Sequence, residues 1–213
     1  FWNHPNWVEN RDDAIARFDD LHKKLLRKKL FHGIEVVNEH TYSEEALALA
    51  LDNDLTIMGT SDIHGLINWT FEKEKNYHRP VTFIISDNIT KASIKDALFA
   101  QKTFVWHRDM LIGKEENILP IMNENITVTS NGYYKKIVTI KISNSGIVPL
   151  KLKYTGDYTF HSNGPVLEVP AKGELLVTVK TREILEKIEM PFEVLNIITA
   201  PKQNLKIIKI VKL

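Results

Sequence analysis

The 213-residue sequence contains no cysteine, which removes disulfides, thiolate metal ligands and a thiol nucleophile together. It leaves the compartment open, because many exported proteins also lack disulfides. No apolar run approaches the roughly 18–20 residues that a membrane-spanning helix needs, and no secretory leader is recognisable. Neither sign of charge dominates. Twenty-eight Lys and Arg against 27 Asp and Glu leave a formal net charge of +1, so composition favours neither nucleic acid nor an anionic membrane as partner. Internal repeats and low-complexity tracts are absent as well. The chain opens at Phe1-Trp2-Asn3-His4-Pro5 without an initiator methionine and reads as a piece of something longer.

What is present suffices for a substantial core. Hydrophobic residues make up 43% and charged residues 26%, over a length that suits one large domain or two ordinary ones. Charge is unevenly placed: residues 1–123 carry 15 basic and 19 acidic side chains, residues 124–213 carry 13 and 8. A sign change of this kind fits two domains, 1–123 and 124–213.

In the first half, Ile15, Phe18, Leu21, Leu25 and Leu26 recur at helical spacing and predict an amphipathic helix over 12–29. Ile34–Val37 and Leu55–Gly59 read as strands separated by a helix with Ser43 as N-cap. Val81–Ile85, a helix over 91–101 capped by Thr90, and a strand over Thr103–Trp106 follow. The alternation predicts parallel βα units, with too few strands to close a barrel. From about residue 124 the pattern becomes short alternating strands, at Lys136–Ile142, Leu150–Tyr154, Val166–Val169, Leu175–Val179, Phe192–Ile198 and Leu205–Val211. That density of strands and turns predicts a β-sandwich.

The sharpest local signal is Asp62-Ile63-His64, placed where the strand 55–59 ends and followed by Gly65. In extended chain, residues two apart face the same side, so both side chains can reach neighbouring metal ions; Gly65 is expected to provide a sharp turn. The competing reading makes Asp62 a cap and His64 a surface hydrogen bonder. His4, between Trp2 and Trp7 and held by Pro5, is either a neutral metal ligand or a packed ring. Glu35, inside an apolar strand, must be paired, at an edge or in a polar cavity; it can orient a metal ligand from behind or form a structural ion pair. Arg79 can grip phosphate oxygens through paired hydrogen bonds, with His78 beside it, or the two can simply form a turn. Trp69, Phe71 and Tyr77 either wall a substrate or pack their loop. His40 and Glu44 read as surface residues.

Asn3-His4-Pro5, Gly33-Ile34-Glu35-Val36-Val37-Asn38 and Gly59-Thr60-Ser61-Asp62-Ile63-His64-Gly65 resemble, in order, the late motifs of the polymerase and histidinol phosphatase (PHP) family of phosphoesterases. His78 through Leu119, with Leu111-Ile112-Gly113-Lys114-Glu115, resembles a subgroup of exported bacterial phosphodiesterases, and the β-rich remainder is similar to their accessory domain. The resemblance implies an α/β plus all-β chain: part of a distorted β/α barrel of PHP type over 1–123, then an immunoglobulin-like β-sandwich over 124–213. It implies two or three divalent metals in the full-length protein, of zinc, manganese or iron, with Asp62 on one metal of a bridged pair and His4 and His64 on the third. Glu35 would support a ligand from behind, and Arg79 and His78 would meet the substrate. No residue of this chain is assigned a catalytic role beyond holding metal. The opening His-x-His pair and other early family ligands are absent, so these residues alone are expected to be inactive without the N-terminal part of the barrel.

Three functions follow as expectations: metal-dependent hydrolysis of a small phosphate ester, in particular a phosphodiester; an inactive PHP-like binding or scaffold protein; or metal-dependent hydrolysis of another bond on the same scaffold. The subgroup resemblance implies a periplasmic or secreted location.

Overall fold

β-branched residues after Gly33 build the central strand of the first unit, β1 (Gly33–Asn38). In the computed structural model, which describes residues 1–7, 12–71 and 78–213, the chain divides into two compact units. One is Phe1–Asn117 with Ile198–Gln203, and the other is Ile118–Ile197 with Asn204–Leu213.

In the first unit, helix α1 (Asp20–Arg27) precedes β1. It is shorter than the amphipathic spacing predicts. Asp19 takes the N-cap and accepts the His22 amide at 3.0 Å, while Ala14 adopts φ +55° and Asp13 Oδ1 accepts the Ile15 amide at 3.1 Å. Side chains that compete for backbone donors thus hold the stretch before Asp19 in turns. A short strand β2 (Thr41–Tyr42) folds back antiparallel on β1. Helix α2 (Glu44–Asp52) starts at Ser43, whose Oγ accepts the Ala46 amide at 3.1 Å, and leads to β3 (Thr56–Thr60), which pairs parallel with β1.

Past that pair the expected parallel alternation gives way. β4 (Val81–Ile84), helix α3 (Lys91–Phe99), β5 (Thr103–His107) and β6 (Met110–Gly113) follow, and β4–β5 and β5–β6 both pair antiparallel. The turn at Arg108-Asp109 closes β5 onto β6 without a crossover helix, which only antiparallel strands permit. No β/α barrel is present among the described residues. The core gathers Ile34, Val36, Val37, Ala46, Leu47, Leu55, Ile57, Val105 and Ile112, with Ile198 packed against it.

Helix α4 (Glu115–Asn125) spans the division between units. In the second unit, β7 (Ile126–Tyr134), β8 (Ile137–Asn144), β9 (Leu150–Tyr154), β10 (Thr159–Phe160), β11 (Val166–Val169), β12 (Gly173–Lys180), β13 (Lys187–Ala200) and β14 (Gln203–Lys212) form two sheet segments. One runs β10-β12-β8-β7; in the other β11, β9 and β13 are neighbours and β14 pairs β13. Strict alternation of burial along β8 puts Val138, Ile140 and Ile142 into the core, as a strand with one wet face requires. No helix among the described residues is long and apolar enough to cross a membrane.

Candidate metal centre

Two chain segments converge at the carboxyl ends of β1 and β3. The first is the N-terminal stretch, which runs parallel beside β1: the Trp2 amide donates to Gly33 O at 3.0 Å and the Glu35 amide to Trp2 O at 3.0 Å. The Trp2 indole packs against the rings of Phe18, His22 and Phe31. This anchor delivers His4 to Glu35. The His4 amide donates to Glu35 Oε2 at 2.8 Å, and its Nδ1 lies 3.6 Å from the same oxygen.

Glu35 is 3% exposed, and of the alternatives open to it the structure selects pairing. Besides the His4 amide it accepts Asn38 Nδ2 at 3.2 Å on Oε2 and the Thr60 hydroxyl, through a short bond, on Oε1. The β1–β3 register shifts between Glu35 and Val37, the kind of bulge that re-aims a side chain.

The second segment leaves β3. Gly59 lies so close to β5 that a Cβ there would stand 2.4 Å from Val105 Cγ1. Beyond Thr60 the chain turns at Asp62, whose φ is +46°. The left-handed turn therefore sits on the aspartate rather than on Gly65, and the Asp62–His64 segment is not the extended strand tip that its spacing predicts. Asp62 Oδ1 lies 3.4 Å from His64 Nε2 and 3.7 Å from His4 Nε2. The three side chains are 33%, 89% and 32% exposed respectively. His4 shares the strained backbone, with φ +50°, in a region that residues other than glycine enter at a cost and that recurs at functional sites.

The structure thus brings His4, Asp62 and His64 together. Two imidazole nitrogens and a carboxylate are the donor types that zinc, manganese or iron take, and the Glu35 carboxylate stands 3.6 Å behind His4 Nδ1, just outside hydrogen-bond distance. Donor chemistry and the shared approach to one oxygen fit a metal in part. As the side chains stand, no group of three or more His, Asp or Glu among the described residues is arranged to hold an ion.

Arg79 and His78 lie apart in role. Both ring nitrogens of His78 face backbone carbonyls, Nδ1 that of Arg79 at 2.6 Å and Nε2 that of Arg108 at 3.1 Å, and the ring lies over Trp106 at 3.7 Å. Trp106 Nε1 donates to the same Arg108 carbonyl at 2.8 Å. His78 therefore pins the β5–β6 turn beside the start of β4, while Arg79 is exposed. Phe71 is buried, with the His40 ring on it edge-on at 5.1 Å, whereas Trp69 is exposed; Tyr77 lies outside the described residues.

His107 belongs to no motif in the sequence. It closes β5, is 2% exposed, and its Nδ1 has no hydrogen-bond partner among the described residues. Burial first, then the charges of Arg108, His78 and His40, pull its pKa down to about 4, against a hydrogen bond with the His40 backbone. Its one sequence cue is a histidine directly after the strand-like run Thr103–Trp106.

A family model described as an Ig-like domain, DUF5001, matches residues 126–208. A search of curated proteins returns no match. Among solved structures, the chain is similar to a two-domain protein from Bacteroides vulgatus described as containing a predicted PHP-like metal-dependent phosphoesterase. The TM-score is 0.89 at 30% identity, over 98% of this chain and 61% of that one. This chain therefore spans less than two thirds of that protein's length. The similarity supports a relationship to metal-dependent phosphoesterases at that general level, and the Ig-like domain occupies the β-rich half.

Proposed function

We propose that the protein hydrolyses a phosphate ester, in particular a phosphodiester, at a divalent-metal centre to which His4, Asp62 and His64 contribute. One observation carries the reading: Asp62 Oδ1 is approached by His4 Nε2 and His64 Nε2, from separate segments of the chain. In this reading residues 1–123 are the later part of a PHP-type barrel and 124–213 its accessory sandwich. The length of the Bacteroides neighbour that this chain does not span would supply the remaining ligands, and the location is periplasmic or secreted.

A bound divalent cation supplies positive charge that activates water and steadies phosphoryl oxygens. The chain's own groups prepare that arrangement. Asp62 provides the anionic donor. His4, with Nδ1 toward Glu35, offers Nε2 toward Asp62. His64 is almost wholly exposed and can swing to accept or release the ligand position. Arg79 meets the phosphate from solvent, positioned by the carbonyl that His78 holds.

Elemental analysis of the full-length protein tests this. We expect two or three zinc, manganese or iron ions, fewer after Asp62→Ala, with hydrolysis of bis(p-nitrophenyl) phosphate falling in parallel. Equal metal in both proteins removes the assignment.

A second reading is favoured by the lack of a ready-made three-donor group among the described residues: a PHP-like scaffold without catalysis. It predicts no stoichiometric metal in the wild type and no loss of binding function after Asp62→Ala.

A further inference from the structure

The two segments that carry His4 and Asp62 are not in contact through their side chains alone. Both are tied to one buried carboxylate. Glu35 Oε2 takes the His4 amide and the Asn38 side chain, and Oε1 takes the hydroxyl of Thr60, two residues before Asp62. The bonds span three parts of the chain, and each of the two segments uses a different oxygen of the same rigid group. The left-handed region is entered at His4 itself and, two residues past Thr60, at Asp62. Histidine and aspartate both tolerate this region better than most side chains, but neither does so at no cost. The hydrogen bond from the His4 amide to Glu35 anchors that conformation.

We propose that Glu35, with Thr60 and Asn38, is a positioning hub that fixes the backbones of His4 and Asp62 relative to one another before any metal arrives. The proposal rests on the metal-centre reading for its purpose, but not for its geometry. Glu35 touches no reacting atom. It acts through the peptide of His4 and through Thr60, and it leaves the Nε2 face of His4 turned to Asp62. Thr60 and Asn38, which carry no metal-binding signal of their own, acquire a role by this route. A merely structural carboxylate in the same strand would need partners, but not partners leading to both candidate ligands.

The test uses full-length protein with Glu35→Ala, Glu35→Gln and Thr60→Val, read by amide hydrogen exchange without metal and by the visible spectrum and affinity of added Co2+. Glu35→Ala should speed exchange at the His4 amide by about tenfold or more, as loss of its one anchoring hydrogen bond does. It should weaken Co2+ by about 10–100-fold and shift the Co2+ spectrum toward that of His4→Ala. Glu35→Gln keeps a carbonyl for His4 and an amide that Thr60 can accept, so it should restore most of the protection and the spectrum. Thr60→Val, which leaves Glu35 in place should the alanine variant not fold, should loosen residues 60–64 and leave the His4 amide protected. Unchanged His4 exchange in Glu35→Ala overturns the proposal. So does a glutamine variant as impaired as the alanine one, because charge rather than anchoring would then be what the site uses. If wild-type protein binds no Co2+, the metal reading falls, and the exchange measurements still decide whether the hub holds the two segments.

Discussion

His4 Nε2 stands 3.7 Å from Asp62 Oδ1, and both residues hold left-handed backbone, at φ +50° and +46°. The pairing joins the strand-like N-terminal stretch to the end of β3, and places a strained peptide under each candidate donor. Strain at such points persists only where surroundings over-determine it, and here the Glu35 carboxylate provides that surrounding.

The backbone and the charge of Asp62 can be separated. Asparagine tolerates the left-handed region at least as well as aspartate, whereas valine does not. Asp62→Asn should keep the urea midpoint close to wild type while lowering bound metal. Asp62→Val should lose the metal as well as about 1–2 kcal/mol of stability. Equal stability of the two variants would show that the turn relaxes without cost.

Gly59→Ala should destabilise by about 1–3 kcal/mol, because its methyl group would meet Val105 Cγ1 at 2.4 Å. The double variant Gly59→Ala with Val105→Ala should be more stable than the sum of the single losses, since the second change removes the clash. Strict additivity in chemical denaturation would mean that β3 shifts to accommodate the methyl group.

Much of this architecture is legible in the residues. Ser43 and Thr90 cap their helices as their position before an apolar run implies, and the alternation in β8 reads directly as one buried face. The parallel expectation fails at β4–β6 because a short strand carries no sign of its partner's direction, and β6, over Met110–Gly113, stands out in the sequence only within a family-like stretch. The left-handed turn fell on Asp62 although a glycine stood three residues on, since local sequence marks tolerance of positive φ and tertiary contacts choose where it is used. Glu35 was flagged by its apolar surroundings, but which groups satisfy it depended on a register shift that no pattern announces. The division between compact units falls within α4, and the tip 198–203 belongs to the first unit, an excursion of the chain that no composition shift marks.

In the Ig-like unit, Asn144 is 3% exposed and its amide makes three bonds: Nδ2 donates to Val148 O at 2.9 Å and Pro170 O at 3.1 Å, and Oδ1 accepts the Gly146 amide at 2.9 Å. Asn144→Ala leaves the buried Val148 carbonyl and the partly buried Pro170 carbonyl and Gly146 amide without this partner, and should cost about 1–3 kcal/mol. Asn144→Asp keeps the acceptor and loses the donor, so it should fall no less. A thermal transition of the second unit unmoved by either change would show that water replaces the side chain.

His107 should make the fold sensitive to mild acid. Burial, with the neighbouring charges of Arg108, His78 and His40, lowers its folded pKa to about 4, while an unfolded histidine titrates near 6.5. Between those values the unfolded chain takes up a proton that the folded protein refuses. Stability is therefore whole above about pH 6.5, declines as pH falls through the window, and has lost the full contribution below about 4. The span corresponds to roughly 3 kcal/mol. Carboxylates add their own acid dependence, so the measurement is a difference: urea midpoints of wild type and His107→Gln at steps from pH 7.5 to 4. Glutamine can keep a donor toward the His40 backbone and takes no proton, so its curve should be flatter by that amount. If the two slopes coincide, His107 reaches solvent on protonation, and the acid sensitivity of this unit resides elsewhere.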